Sequence, residues 1–363
     1  MKIEVLIYAY LTVCLAMIGF NIICIFMFRH NDREIERGRH DFIDEIRSQL
    51  GKEQLDDTHR ELLLKILSKT KGMMSFDKSL EAVSKENPEQ VREYLSRLDG
   101  VFIAMTEKYS RRNELQAAYF PYIIYRYKLF FGESLPQINY ALTSLLRSPS
   151  IYSRENALHA LYSIGVAKDV AEGLVTVDQS GCYHHKKLIT DGLMEFSGDK
   201  KELDELLWEK LSRFSLNMQL AVLDYFRFSS GEYKERMLNL LEEDNDSEIH
   251  FCAIRYFGRY PYGPAYEKLI SFVENESGYR WEYTAISCFA LAAYPGRRTE
   301  KLLKKKLSSR SWFVRLNAAQ TLQRLGLEYA DLLDIFEGGD RYAGEIMRYQ
   351  FDHKRLTEKE AAK

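Results

Sequence analysis

One stretch constrains this chain more than any other: residues 308–326, SSRSWFVRLNAAQTLQRLG, which read as an amphipathic helix closed by a glycine. Counting back from Arg315 in steps of 31 to 33 residues, the same helix returns with Glu282, His250, Gln219, Lys187 and Arg154 in the Arg315 position. Three residues further on stand Ala157, Thr190, Val222, Ala253, Ala285 and Ala318, mostly small. Seven further on stand Leu161, Met194, Phe226, Phe257, Phe289 and Leu322, always large and apolar. Eleven further on come Gly165, Gly198, Ser230, Pro261, Ala293 and Gly326, where a helix stops. A small residue four positions before a large one on one face lets a neighbouring helix approach closely and then fills the gap above it. Such a helix cannot hide its apolar face alone. Each unit therefore needs the next, and stacked units give an elongated array with a continuous core.

A second helix precedes each keyed one, over 138–146, 166–175, 203–211, 233–241, 264–273 and 299–307, with short polar joints such as 242–246 and 274–278 between the two. With seven prolines and almost no alternating Val/Ile/Thr runs, the chain is expected to be nearly all-α. A formal charge of -2 gives no overall pull toward nucleic acid.

The N-terminus carries the other strong signal. Residues 5–28 form a run of 24 without a charge, more than the roughly 20 a helix needs to cross a bilayer. The run is too long for a cleaved leader, and no A-x-A site precedes the charged segment, so a retained transmembrane helix is expected. Lys2 is the only basic side chain before it, whereas Arg29, Arg33, Arg37 and Arg39 follow at once. By the positive-inside rule the body lies in the cytoplasm, the chain being a single-pass protein of the inner (plasma) membrane. Cys14 and Cys24 fall in the span, and Cys182, Cys252 and Cys288 are scattered, which argues against a disulfide framework.

Between the span and the array, Ile35, Phe42, Ile43, Ile46 and Leu50 follow helical spacing amid dense charge, Gly72 and Met73-Met74-Ser75 read as an interruption, and Asn87-Pro88 opens another helix. The expected organisation is a transmembrane anchor at 1–29, a juxtamembrane helical cap at 30–111, the repeat array at 112–352, beginning near Asn113, and a frayed charged tail at 353–363.

The period and the block Trp312-Phe313-Val314-Arg315-Leu316-Asn317-Ala318-Ala319 resemble HEAT repeats of the bacterial, armadillo-type kind over roughly residues 113–351. The resemblance implies a right-handed α-solenoid of helical hairpins whose second helices line a concave surface for binding proteins. It also implies recurring Asp and Arg residues that link units; with Lys187, Gln219, His250 and Glu282 in the Arg position, no regular ladder is expected here. Membrane-anchored chains of this kind look like accessory subunits of bacterial membrane assemblies, such as a polysaccharide-forming glycosyltransferase complex.

Little in the sequence points to catalysis. There is no phosphate-binding G-x-x-x-x-G-K-[ST], no H-E-x-x-H and no G-x-S-x-G. Ser75-Phe76-Asp77-Lys78 fits S-x-x-K without companion motifs, and Gly338-Gly339-Asp340 reads as a turn. Cys182-Tyr183-His184-His185 lacks the second spaced pair that a zinc site needs, so neither a metal nor a cofactor is expected.

Surface chemistry says more. Arg227, Arg255 and Arg259 fall on consecutive units beside Tyr260, Tyr262 and the Tyr279-Arg280-Trp281 turn, and Arg324 follows. Arginine with aromatics is the composition of protein-binding hot spots, so Arg227, Arg255, Arg259, Tyr260, Tyr262, Arg280 and Arg324 are the expected partner-binding residues. A basic run with Arg297, Arg298, Lys301, Lys304 and Lys305 suits lipid headgroups or an acidic partner. The reading is a non-enzymatic scaffold or adaptor that holds a membrane-associated protein. The alternatives are a nucleic-acid-binding protein like the HEAT-type DNA glycosylases, and a HEAT-type lyase or other small-ligand enzyme.

Overall fold

A computed structural model of the chain describes residues 3–110, 114–129 and 135–361. Those residues are helical or in the joints between helices, with no strand among them. In chain order the helices are α1 (Ile3–Gln49), α2 (Asp57–Leu67), α3 (Thr70–Glu86), α4 (Pro88–Ser96), α5 (Asp99–Ser110), α6 (Glu114–Ala117) and α7 (Tyr119–Tyr127). There follow α8 (Leu135–Leu145), α9 (Ile151–Ile164), α10 (Ala167–Gln179), α11 (Lys186–Met194), α12 (Lys200–Lys210), α13 (Leu216–Ser229) and α14 (Lys234–Glu242). The last are α15 (Ser247–Arg259), α16 (Gly263–Glu274), α17 (Trp281–Ala290), α18 (Arg297–Lys306), α19 (Trp312–Arg324), α20 (Leu333–Phe336) and α21 (Arg341–Ala361). They fall into two compact units, one of Met1–His184 with Glu195–Lys210, the other of His185–Met194 with Leu211–Lys363. Lys2, the expected boundary at 111–113 and the last two residues of the tail lie outside the described residues.

In the first unit, α1 is a single unbroken helix, so the apolar run and the expected juxtamembrane helix are one element. Its first part exposes its side chains all round, Phe20 by 66% and Phe26 by 69%, and it is long and apolar enough to cross a membrane. At 1.5 Å per residue the uncharged run spans about 36 Å, against a hydrocarbon core of about 30 Å. Beyond it the helix becomes amphipathic: Ile35, Phe42 and Ile46 are buried where α1 packs on α3, with Phe42 edge-on to Phe76 at 5.8 Å. The approach is close because the facing residues are small. Gly38 leaves room for Ser75, whose hydroxyl donates to the Ile35 carbonyl at 3.1 Å, and Ser79 donates to Arg39 at 3.0 Å.

The sequence reading needs correction at Gly72, which does not interrupt a helix. The break falls at Ser68 and Lys69, and Gly72 lies inside α3 because a Cβ there would stand 2.1 Å from the Ile66 carbonyl oxygen. The glycine serves the close approach of α3 to the end of α2. Further along α3, the buried Asp77 carboxylate accepts from Tyr119 at 2.8 Å, Tyr127 at 2.7 Å and Arg126 at 2.9 Å, which ties α3 to α7.

The α9–α10 and α12 region of the same unit follows the expected columns. Gly165 ends α9 in the left-handed region at φ 83°, and Gly198 packs on it so tightly that a Cβ would lie 1.9 Å from the Gly165 oxygen. Beside them is a half-buried ionic cluster: Glu155 Oε1 lies 3.1 Å from His159 Nε2, and Glu155 Oε2 lies 2.8 Å from His184 Nε2. The other His159 nitrogen is 3.3 Å from Glu195. Burial pushes the Glu155 carboxyl up, but the two imidazoles outweigh it and bring it down to about 2. The bond to Glu155 holds the His159 imidazole above its ordinary range against its burial.

In the second unit the keyed helices pack side by side in succession, α11 on α13, α13 on α15, α15 on α17, α17 on α19 and α19 on α21. Helices α14, α16 and α18 each pack on the keyed helix that follows. All members of the small column are buried in their units, Val222, Ala253 and Ala318 completely. Side chains reach across the junctions as well: Thr190 donates to the Ala221 carbonyl at 2.9 Å and Asn317 to that of Ala285 at 2.8 Å. The tail expected to fray is helical, as α21 continues to Ala361.

The large column departs from expectation twice, since Met194 is 36% and Phe289 is 41% exposed. At Gly258 a Cβ would meet Ala290 Cα at 3.0 Å, so α15 and α17 touch through Gly258 and Ala290. Ala290 and Leu291 take the interior positions, and Phe289 is turned outward. Leu193 does the same for Met194.

At Arg154, Gln219, His250 and Arg315 the key position has a role that the residue types hide, whereas Glu282 accepts from Arg280. Arg154 donates to the Ser148 and Pro149 carbonyls at 2.7 and 2.9 Å, Gln219 to Phe214 at 3.0 Å, and Arg315 to Ser309 at 2.6 Å. The His250 ring lies 3.0 Å from the Glu243 carbonyl oxygen. Each caps carbonyls of the joint five to seven residues before it, which a helix end otherwise leaves to water. Any donor of sufficient reach serves, so Arg, Gln and His share the position.

Replacing Ala318 by Trp is expected to overpack the α17–α19 junction and lower stability by about 1–3 kcal/mol, read from thermal melting. The Glu155–His159 pair gives a pH signature. His159, raised in the folded chain, contributes stability that is fully present below its unfolded value of about 6.5 and is lost as pH rises through the folded one. Glu155, depressed, contributes above its unfolded value and loses it as pH falls toward the folded one. Melting temperature is therefore expected to fall as pH rises above about 6.5, and the fall to flatten in His159→Gln.

Candidate functional site

Four arginines and two outward-facing phenylalanines come together where α13, α15 and α17 end and α19 passes. The groove there has a volume of about 510 Å³ and is lined by Arg227, Phe228, Arg255, Arg259, Ile286 and Phe289, with Gly258, Ala290 and Asn317 at its floor. The keyed helices run in the same direction, as Arg280 at the start of α17 bonds Ser247 at the start of α15 and Tyr294 beyond α17 bonds Tyr262 beyond α15. Residues eight and nine after the key position, Arg227, Phe228, Arg259 and Arg324 among them, therefore gather at one end.

Phe228 lies between two cations, and Phe289 lies against one. Arg227 lies 4.4 Å and Arg259 5.6 Å from the Phe228 ring centre, and Arg324 lies 4.1 Å from that of Phe289. Phe228 is 40% exposed, nearly the same as Phe289. At these distances the guanidinium groups are in cation–π range of the rings. Arg227 is partly neutralised by Asp224 at 3.0 Å. Among the described residues no carboxylate pairs with Arg255, Arg259 or Arg324. The arrangement offers apolar area framed by fork-shaped donors, which suits a carboxylate-bearing segment with an apolar side chain.

Arg227, Arg255, Arg259 and, through Phe289, Arg324 are thus brought together from the expected partner-binding set. Tyr260 and Tyr262 are not among the lining residues, although Tyr260 adjoins them: Arg259 lies 5.7 Å from its ring centre, Gly231 packs against it and Tyr256 is 5.0 Å away, while Tyr262 stacks on Phe257 at 6.3 Å. Arg280 is at the far end of α17, bonded to Glu282 at 2.7 Å and to Ser247 at 2.9 Å. Phe228 and Phe289 were not foreseen, and Phe289 was assigned to the core. The signal was present in Gly258 and Ala290, whose close contact leaves no room for a ring.

The basic run divides into two sets. Arg298 pairs with Glu267 at 2.7 Å, and Lys304 with Asp334 at 2.9 Å. Arg297, Lys301 and Lys305 are exposed and carry no ion pair among the described residues.

The short motifs have structural roles. The Ser75 hydroxyl donates to the Ile35 and Lys71 carbonyls while Lys78 pairs with Glu36 at 2.7 Å, so the S-x-x-K side chains serve separate contacts. Asp340 caps α21, accepting from the Tyr342 and Ala343 amides at 3.0 and 3.2 Å. His184 turns to Glu155, and among the described residues no group of His, Cys, Asp and Glu is arranged to hold a metal.

Neither a protein-family model nor a curated protein matches the chain.

The two phenylalanine positions can be told apart in solution. Phe257→Ala, at a fully buried ring, is expected to cost about 3–5 kcal/mol. Phe289→Ser is expected to leave melting within about 0.5 kcal/mol of the parent, as a surface change does.

Proposed function

We propose that the chain is a membrane-anchored, non-enzymatic adaptor that binds a partner protein through the arginine–phenylalanine groove. In this reading α1 is the anchor, and the paired helices form a right-handed α-solenoid of HEAT-like hairpins. Its support is the side-by-side succession from α11 to α21 and the recurrence of turn-capping donors in the key position. The body is taken to be cytoplasmic at the inner membrane, on the strength of Arg29, Arg33, Arg37 and Arg39 just beyond the span.

The observation that carries the binding role is the groove itself. Among the described residues Arg255, Arg259 and Arg324 have no carboxylate partner, and Arg259 and Arg324 lie against two rings exposed by about two-fifths each. Cationic side chains kept free beside exposed aromatic area are costly to maintain unless a partner covers them. A segment carrying Asp or Glu beside an apolar side chain is the chemistry that fits. Membrane-bound accessory assemblies, a polysaccharide-forming glycosyltransferase complex first, are the partner class to test.

Arg255→Glu with Arg259→Glu reverses the charge of the groove without touching the core. Partner capture from solubilised membranes of the producing cell is expected to fall at least about 100-fold, since hot-spot arginines are each worth about 2 kcal/mol or more. Helical content and melting are expected to stay as in the parent. Unaltered capture by a normally folded double variant would remove the groove as the binding site.

A further inference from the structure

The second unit carries another surface that the groove does not use. Trp281 is 43% exposed, Trp312 52% and Phe313 51%, at the starts of α17 and α19. Trp281 and Phe313 stack with centres 4.9 Å apart and planes 16° apart, and Trp312 meets Phe313 edge-on at 5.1 Å. Beyond Trp312, Tyr342 of α21 is 68% exposed. This aromatic cluster lies at the end of the helices opposite the arginine groove.

A basic stripe runs toward this cluster along α18, and the carboxylates nearest it are engaged, Glu345 with Arg341 at 2.6 Å and Asp340 with Ser308. The joints leading into α17 and α19 are tied together by Glu276, which pairs with Lys306 at 2.8 Å and accepts from Ser309. Burial pushes the Glu276 carboxyl up, but the bonds from Lys306 and Ser309 outweigh it and keep it low, so the charge of Lys306 is answered. Glu282 is likewise answered by Arg280. Against these closed pairs stand Arg297, Lys301 and Lys305, exposed and without an ion pair among the described residues. Spaced four apart, they form one stripe on α18, about 12 Å long, that leads to the α18–α19 joint. Exposed Arg310 continues it to within two residues of Trp312.

We infer that this edge, built on Trp281, Trp312 and Phe313 with the Arg297–Lys301–Lys305 stripe, rests on an anionic lipid surface. Tryptophan rings favour the headgroup level, where an apolar body and a polar N–H are both accommodated. Free lysines and arginines beside them are drawn to the negative potential of an acidic leaflet. A membrane is the occupant favoured over a protein because α1 is long and apolar enough to hold the chain at a bilayer, which makes that surface the most concentrated ligand in reach. One weak attachment adds to another, as two membrane signals do on other peripheral chains. The inference is independent of the groove and rests on the reading of α1 as an anchor.

The test uses the full chain reconstituted in vesicles of phosphatidylcholine alone and of phosphatidylcholine with phosphatidylglycerol, each with and without lipids brominated near the headgroup. The same measurement on Trp281→Phe with Trp312→Phe isolates the signal of Trp208, the remaining tryptophan. In the anionic vesicles the Trp281 and Trp312 emission is expected to shift to the blue and to lose at least half its intensity to the brominated lipid. Both effects should be absent in phosphatidylcholine alone and in Arg297→Glu/Lys301→Glu/Lys305→Glu. Emission that brominated lipid leaves unquenched in the anionic vesicles overturns the inference. A blue shift without quenching that grows with protein density also overturns it, and assigns the edge to a second copy of the chain. Alkaline extraction reports separately on α1: a chain released by it overturns the anchor, and quenching still decides the edge.

Discussion

At several junctions of this protein helices meet where side chains are small or absent, and part of what the chain presents outward follows from that constraint. In the first unit α1 crosses α3 at Gly38 and Ser75, and the loop after α9 meets the one before α12 at Gly165 and Gly198. In the second, α15 meets α17 at Gly258 and Ala290. Contact at such short range brings backbone carbonyls within reach of Ser, Thr and Asn side chains, and Ser75, Thr190 and Asn317 use them. The close contacts gain dispersion energy, and the polar groups caught between helices are satisfied rather than stranded. The same closeness decides what must leave. Phe289 stands outside because Ala290 has taken the contact, and a ring expected in the core becomes part of a surface.

Much of the architecture was legible in the sequence because small and large residues recur at fixed offsets. Gly165 and Gly326 stop helices in the left-handed region, and Ala157, Ala253 and Ala318 are buried as the columns require. Two kinds of information were not legible. Columns assume one register per unit, and a shift of one residue at the end of a helix, as at Met194 and Phe289, breaks the column without breaking the helix. Residue type also conceals function at the key position, where Arg154, Gln219 and Arg315 differ in chemistry but all donate to the carbonyls of their own joints. Gly72 was misread for a related reason: a glycine permits a break, yet it also permits contact, and only the position of Ile66 distinguishes the two.

The candidate site was partly visible. The spacing of Arg227 and Arg259 gave their common end, because parallel helices at a nearly constant repeat bring similar offsets together. The phenylalanines that give the groove its apolar area were invisible without the register shift. The charge pairing was invisible too, since linear sequence does not say that among the described residues Arg298 and Lys304 find carboxylates while Arg297, Lys301 and Lys305 do not. The outcome is a division of labour by helix end, with free arginines and phenylalanines at one end of α15 and α17 and tryptophans with lysines toward the other.

The central claim is that the groove receives a protein, and photocrosslinking from within it tests this most directly. A photoreactive phenylalanine analogue at position 289, in the full chain in the producing cell, would sit at the outward ring beside Arg324, in the groove that Arg259 also lines. The account predicts one dominant protein adduct by mass spectrometry, formed through an acidic segment and lost when free peptide of that segment is added in excess. An analogue that reacts only with solvent or lipid, or that yields the same adduct at an exposed control position such as Tyr140, would contradict it.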